Sequence, residues 1–111
     1  MKIIYLSSAY LGGKTTPVDI AKDIIEKIKF VNSEMHILCD YREDIILEQA
    51  EASTKRYKEG KVLGALDGVP IVIKDQINIV GLTTRNGSSY PEFFPSESDA
   101  AIIERVKAQG N

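Results

Sequence analysis

The sequence predicts an α/β fold in which N-terminal helices lead into the first central strands of a sheet, and three observations support this. Residues 66–75, Leu66-Asp67-Gly68-Val69-Pro70-Ile71-Val72-Ile73-Lys74-Asp75, form an apolar run that ends in a charged amine. The stretches on either side of it carry apolar residues at helical spacing. The last of these stretches stops at Gly110, just before Asn111, where a helix returning across a sheet normally delivers the chain into another strand. The expected fold is therefore incomplete, the front portion of a larger domain.

The run at 66–75 is read as a central strand. Val69, Ile71, Val72 and Ile73 are β-branched and do not alternate with polar residues, so both faces of the strand should be covered. Pro70 has no N–H to give to a ladder, which places the strand start near Val69 and its exit at Lys74, with Gly68 in the turn leading in. A lysine at the exit of a buried strand has two readings. Its stem can snorkel and leave the amine in water, or burial can lower its pKa until the amine serves as a base. Asp75 should face the other side of the strand and leave Lys74 unpaired.

The helices follow from local signals. The opening run through Leu11 reads as a short amphipathic helix with Ile3, Ile4, Leu6, Tyr10 and Leu11 packed, ended by Gly12-Gly13. Ser7 and Ser8 interrupt it, which argues against a signal peptide. Thr16 as N-cap, Pro17 at the first helical position and Asp19 three residues after the cap open a helix over residues 17–30, with Ala21, Ile24, Ile25, Ile28 and Val31 on its apolar face. Asn32 and Ser33 should break it before a small strand at residues 36–39. Asp40 and Glu43 resemble a capping box for a helix to Lys58, carrying Ile46, Leu47, Ala50 and Tyr57, with a Glu51 and Lys55 pair and a stop at Gly60. Ile77, Ile79 and Val80 predict a second short strand ended by Gly81, and residues 82–95 an irregular segment. Ser96 and Asp99 predict another capping box, before a helix through Ala101, Ile102, Ile103 and Val106.

Composition excludes several functions. The 111 residues suffice for one domain, and 43% hydrophobic with 27% charged residues is ordinary for a globular chain. A net charge of -2, from 14 basic and 16 acidic residues interspersed, gives no footprint for nucleic acid or an acidic membrane surface. Cys39 is the sole cysteine and His36 the sole histidine, so no intrachain disulfide forms and a zinc site of the usual kind is not expected. A reducing, intracellular compartment is the expectation, in the cytoplasm or on the cytoplasmic face of a membrane. His36 is assigned no catalytic role.

The run at 66–75, then Gly81-Leu82-Thr83-Thr84 with Gly87-Ser88, then Asp99-Ala100-Ala101-Ile102-Ile103-Glu104-Arg105-Val106, resemble the amidase signature family. Gln49-Ala50-Glu51-Ala52-Ser53-Thr54 and Lys14-Thr15-Thr16-Pro17 extend the likeness upstream, and look most like the fatty acid amide hydrolase branch of plants and related eukaryotes. The resemblance implies a mixed-sheet domain and a serine hydrolase that cleaves amides with a Ser, cis-Ser, Lys triad, in which a neutral lysine draws the nucleophile's proton through the bridging serine. On this resemblance Lys74 is that lysine, the substrate is a small-molecule amide such as a fatty acid amide, no cofactor is implied, and a homo-oligomer and membrane association stay open. The family's serines lie beyond the part that this chain resembles, and Ser88 and Ser89 belong to an earlier element without the flanking glycine pairs of the nucleophile loop. Two other readings stand beside it: a non-enzymatic fragment used as a binding or oligomerisation module, and a split enzyme whose serines come from another chain.

Overall fold

The computed structural model describes residues 2–90 and 92–111, so Met1 of the opening run and Pro91 of the irregular segment lie outside the described residues. Among the described residues the order is α1 (Ile3–Leu11), α2 (Pro17–Met35), α3 (Glu43–Glu59) and α4 (Ala101–Ala108). None of these helices is long and apolar enough to cross a membrane.

Helix α1 ends at Gly12 as its glycines predict, but it packs along a narrower face than expected. Leu6 and Tyr10, one turn apart, are buried against Val69, while Ile4 and Leu11 are mostly exposed. Helix α2 opens as predicted. The Thr16 hydroxyl accepts the Asp19 N–H at 3.1 Å, and the Asp19 carboxylate accepts the Thr16 N–H at 3.1 Å. It runs on to Met35 because Asn32, expected to break it, is used differently. Its side-chain amide accepts the Leu38 N–H at 2.7 Å and donates to the Leu38 carbonyl at 3.1 Å, pinning the chain that leaves the helix. His36 takes the left-handed conformation of the cap, with φ 48°, so residues 36–39 are a helix exit and not the predicted strand.

Helix α3 starts at Glu43 with Arg42 as its cap, and the predicted Asp40 and Glu43 box does not form. Asp40 instead accepts the Thr83 N–H at 3.0 Å. Glu43 and Asp44 in the first turn, and Arg56 and Lys58 in the last, complement the helix dipole. Gly60 ends it with φ 69°. The i,i+4 ion pair lies one turn later than predicted, between Lys55 and Glu59. Helices α2 and α3 pack on each other, with Ala21, Ile25 and Ala50 buried.

The predicted central strand is not realised as a ladder. Among the described residues the β pairing is one isolated parallel bridge, Val80 to Ser96, and the chain is mostly helical. A strand exists only by virtue of a neighbour that takes its N–H and C=O groups, and among the described residues no strand lies beside residues 69–74. Val69 is 5% exposed, but Ile71 is 40% and Val72 73% exposed, so the second face is not covered. The second predicted strand reduces to the bridge at Val80, and Gly81 turns the chain with φ 83°. The Ser96 and Asp99 box is also absent. Ser96 exchanges backbone bonds with Gly81 and Leu82, and Asp99 accepts the Val80 N–H at 2.8 Å and Lys107 Nζ at 2.6 Å, so α4 begins at Ala101.

The helices are tied together at Asp67, which is fully buried. Its carboxylate accepts Ser53 Oγ at 2.6 Å, Arg56 Nε and Nη2 at 2.9 and 2.7 Å, and the Leu63 N–H at 3.0 Å. The Arg56 guanidinium and the Gly68 N–H both donate to the Gly110 carbonyl, each at 3.1 Å, which brings the end of α4 to the same point. Tyr57 Oη donates to the Asp67 carbonyl at 3.1 Å and Tyr10 Oη to the Gly68 carbonyl at 3.0 Å, and the two rings meet edge to face at 5.2 Å. Burial, with a smaller push from Tyr57, raises the Tyr10 phenol to about 12, so it stays a donor. At Asp67 burial opposes ionisation, but the bonds from Arg56, Ser53 and Leu63 outweigh it and hold the carboxyl below its usual range.

Asp67→Ala should lower the unfolding free energy by about 3 kcal/mol in urea titration, because it removes the anion that satisfies Arg56, Ser53 and the Leu63 N–H. The folded chain binds the Asp67 proton less tightly than the unfolded chain does. Ionised Asp67 therefore stabilises the fold at neutral pH, and the contribution is lost as pH falls from about 4 through the folded-state pKa. In Asp67→Asn that part of the acid destabilisation should vanish. Gly68, with φ 73°, leaves a Cβ only 2.7 Å from Pro17 Cγ and from Ser53 Oγ. Gly68→Ala should cost at least about 1 kcal/mol, read as a lower thermal midpoint.

Candidate active site

Lys74 ends the apolar segment and is exposed. Its carbonyl accepts the N–H groups of Gln76 and Ile77 at 2.7 and 3.2 Å, so the chain turns directly after it. It lines a cleft with Leu38, Asp40, Asp75, Thr83 and Thr84. Among the described residues no carboxylate forms an ion pair with Lys74. The desolvation expected of a buried strand exit is not supplied by the residues around it.

Asp75 is directed at the loop that follows. Its two carboxylate oxygens accept the Arg85 N–H at 2.8 Å and the Gly87 N–H at 3.4 Å. The Arg85 N–H, helped by the Gly87 N–H and the Cys39 thiol against a desolvation cost, keeps the Asp75 carboxyl below its usual range. The loop is shaped to present these donors. Asn86 and Gly87 both have positive φ, 51° and 73°, and the Ser88 N–H closes the turn on the Arg85 carbonyl at 2.9 Å. The Arg85 guanidinium lies over the Phe93 ring at 5.5 Å from its centroid.

Other candidates are placed without a catalytic arrangement. Ser88 and Ser89 are exposed, and Ser88 Oγ accepts the Tyr90 N–H at 3.2 Å, with no bond to Lys74 among the described residues. His36 sits exposed at the exit of α2, and Cys39 is an exposed free thiol. The sequence reading missed the two carboxylates that hold the loop, Asp40 and Asp75. Asn86-Gly87 was a legible turn signal, but which side chains reach its amides depends on contacts distant in sequence.

Comparison with known proteins agrees with the helical framework. The family model described as Amidase matches residues 19–111. The A subunit of the mitochondrial glutamyl-tRNA(Gln) amidotransferase of Rattus norvegicus is 34% identical over 108 residues, covering 95% of this chain and 20% of that protein. The Homo sapiens protein of the same name is 33% identical over 108 residues with the same coverage. The corresponding glutamyl-tRNA(Gln) amidotransferase protein of Endomicrobium trichonymphae is 36% identical over 99 residues, covering 89% of this chain and 20% of its own length. Two solved structures match over 99% of this chain and 24% of theirs, at 26% identity and TM-scores of 0.87 and 0.89. They are described as a vestigial protein complex that reveals the evolutionary origins of an s-triazine catabolic enzyme, the second with inhibitor bound. The chain thus spans about a fifth of the length of the curated relatives it matches. These relatives are amidotransferase subunits, and they give no support to the fatty acid amide hydrolase branch expected from the sequence.

Proposed function

The chain belongs to the amidase family, and we propose that it is the N-terminal part of an amidase domain that hydrolyses carboxamides, with Lys74 as general base. Membership makes it an amidase-type enzyme by family. The substrate class this supports is the amide bond itself, and the fatty acyl chain has no support among the relatives found.

The observation that carries the reading is the meeting of two separate motif segments at one cleft. Lys74, from the apolar run, and Thr83-Thr84, from the second matched stretch, line it together. On this reading the serine nucleophile and the bridging serine are supplied by chain beyond these 111 residues, as is the cover that desolvates Lys74. A neutral Lys74 would then take the nucleophile's proton through the bridging hydroxyl and return it to the leaving amine. The alternative, a non-catalytic binding or oligomerisation module, draws on the exposure of Ile71 and Val72 and on the relatives being subunits of larger enzymes by name.

The 111-residue chain alone should hydrolyse no simple amide and take no fluorophosphonate label, and stoichiometric labelling of Ser88 or Ser89 with turnover would overturn the proposal. In the complete protein Lys74→Ala should nearly abolish amide hydrolysis while far-UV circular dichroism stays unchanged. Lys74→Arg should fail equally, because guanidinium stays protonated at any working pH. An active Lys74→Arg protein would show that the amine is not the base.

A further inference from the structure

We propose that Asp75 is a positioning residue, whose carboxylate fastens the 83–87 loop to the backbone next to Lys74 and so sets the shape of the cleft they share; this rests on the catalytic reading of Lys74. The loop is held at two points by carboxylates from different segments. Asp40, ahead of α3, accepts the Thr83 N–H at 3.0 Å, and Asp75 accepts those of Arg85 and Gly87 at 2.8 and 3.4 Å. Thr84 lies between the two attachments, and both Thr83 and Thr84 line the cleft with Lys74. Asn86, in the left-handed conformation, lies between the Arg85 and Gly87 amides, and both point toward one acceptor.

Apolar packing does little to hold this loop. Residues 85–87 are exposed, so beyond the Asp40 bond to Thr83 and the stacking of Arg85 on Phe93 it is the charge-assisted bonds to Asp75 that oppose its opening. Because Asp75 follows Lys74 directly, the turn that places the amine also places the acceptor for the loop. The chain direction at Lys74 is fixed in turn by the Gln76 and Ile77 N–H groups on the Lys74 carbonyl. A loop displaced by an ångström beside the reacting group would lower turnover through orientation.

Two measurements on the complete protein decide the matter, hydrogen exchange by NMR and steady-state kinetics with a simple carboxamide. Asp75→Ala should speed exchange of the Arg85 and Gly87 amides by about tenfold or more, while the amides of α3 keep their protection. It should lower kcat by about tenfold with a smaller change in KM, and Asp75→Asn, which keeps an oxygen acceptor in place, should recover part of both effects. Unchanged exchange at Arg85 and Gly87, or an unchanged kcat once that exchange has risen, would overturn the inference. Faster exchange throughout α3 would overturn it too, because Asp75 would then support the fold as a whole. Lys74→Ala separates the two readings. If that variant is inert while Asp75→Ala keeps full kcat, only the positioning role falls. If Lys74→Ala keeps its activity, the catalytic reading falls, and with it the link from the loop to turnover.

Discussion

The buried carboxylate of Asp67 is the constraint on which the rest of the arrangement depends. An anion excluded from water is tolerable only when its lone pairs are filled, and Asp67 fills them with Ser53, Arg56 and the Leu63 N–H. Each donor fixes a different distance: Ser53 and Arg56 set how close the turn at residues 64–68 comes to α3, and the third bond of Arg56, to the Gly110 carbonyl, brings in the end of α4. The approach is so close that a Cβ on Gly110 would lie 2.4 Å from Asp67 Cγ. Glycine at 110 is therefore required by the carboxylate as much as by its own φ of 91°. The two tyrosines complete the junction by filling the Asp67 and Gly68 carbonyls, which would otherwise face the apolar contact of α1 and Val69 unpaired.

From this junction the apolar segment runs outward to Lys74, and the means of support changes along it. At Val69 the chain is held by packing and by backbone bonds, its N–H donating to the Leu66 carbonyl and its carbonyl accepting the Asn111 side-chain amide. By Val72 the side chain is mostly in solvent. At the far end, order comes from hydrogen bonds between backbone N–H groups and the exposed or half-buried carboxylates Asp40 and Asp75. Such bonds are individually weak in water and open more easily than a packed core. The fold thus places a packed root at Asp67 and a more open cleft at Lys74.

What the sequence disclosed, and what it did not, follows the range of the interactions involved. The Thr16, Pro17 and Asp19 cap and the Gly60 stop are contacts within a few residues, and they form as read. The boxes expected at Asp40 and at Ser96 carry equally good local patterns and do not form, because distant groups compete for the same side chains: the Thr83 N–H takes Asp40, and the Val80 N–H with the Lys107 ammonium takes Asp99. Asn32 continues a helix it was expected to break because its amide found the Leu38 backbone. Asp67 is given no role by the sequence pattern, since nothing in its immediate neighbours announces the Ser53 and Arg56 that surround it. Lys74 was found through the pattern of its segment and the motif that it completes, while its surroundings are set by residues that the pattern does not name.

The segment 69–73 holds the sharpest tension between sequence and structure. Its unalternating β-branched residues encode cover on both faces and partners at both edges. The structure gives it helices on one side, with Val69 buried and an apolar groove along Ile24, Ile28, Ile45, Ile73 and Val106, and leaves Ile71 and Val72 open. Neither composition nor local propensity resolves this, since the same residues would suit a strand in any sheet that offered them neighbours. The curated relatives match this chain over only 20% of their own length. On the proposed reading the unspent pattern at Ile71 and Val72 and the missing cover over Lys74 have one cause. On that reading the strand that would pair with this segment and the layer that would desolvate the amine would come from one and the same part of an amidase domain, so that completing the sheet would also create the base.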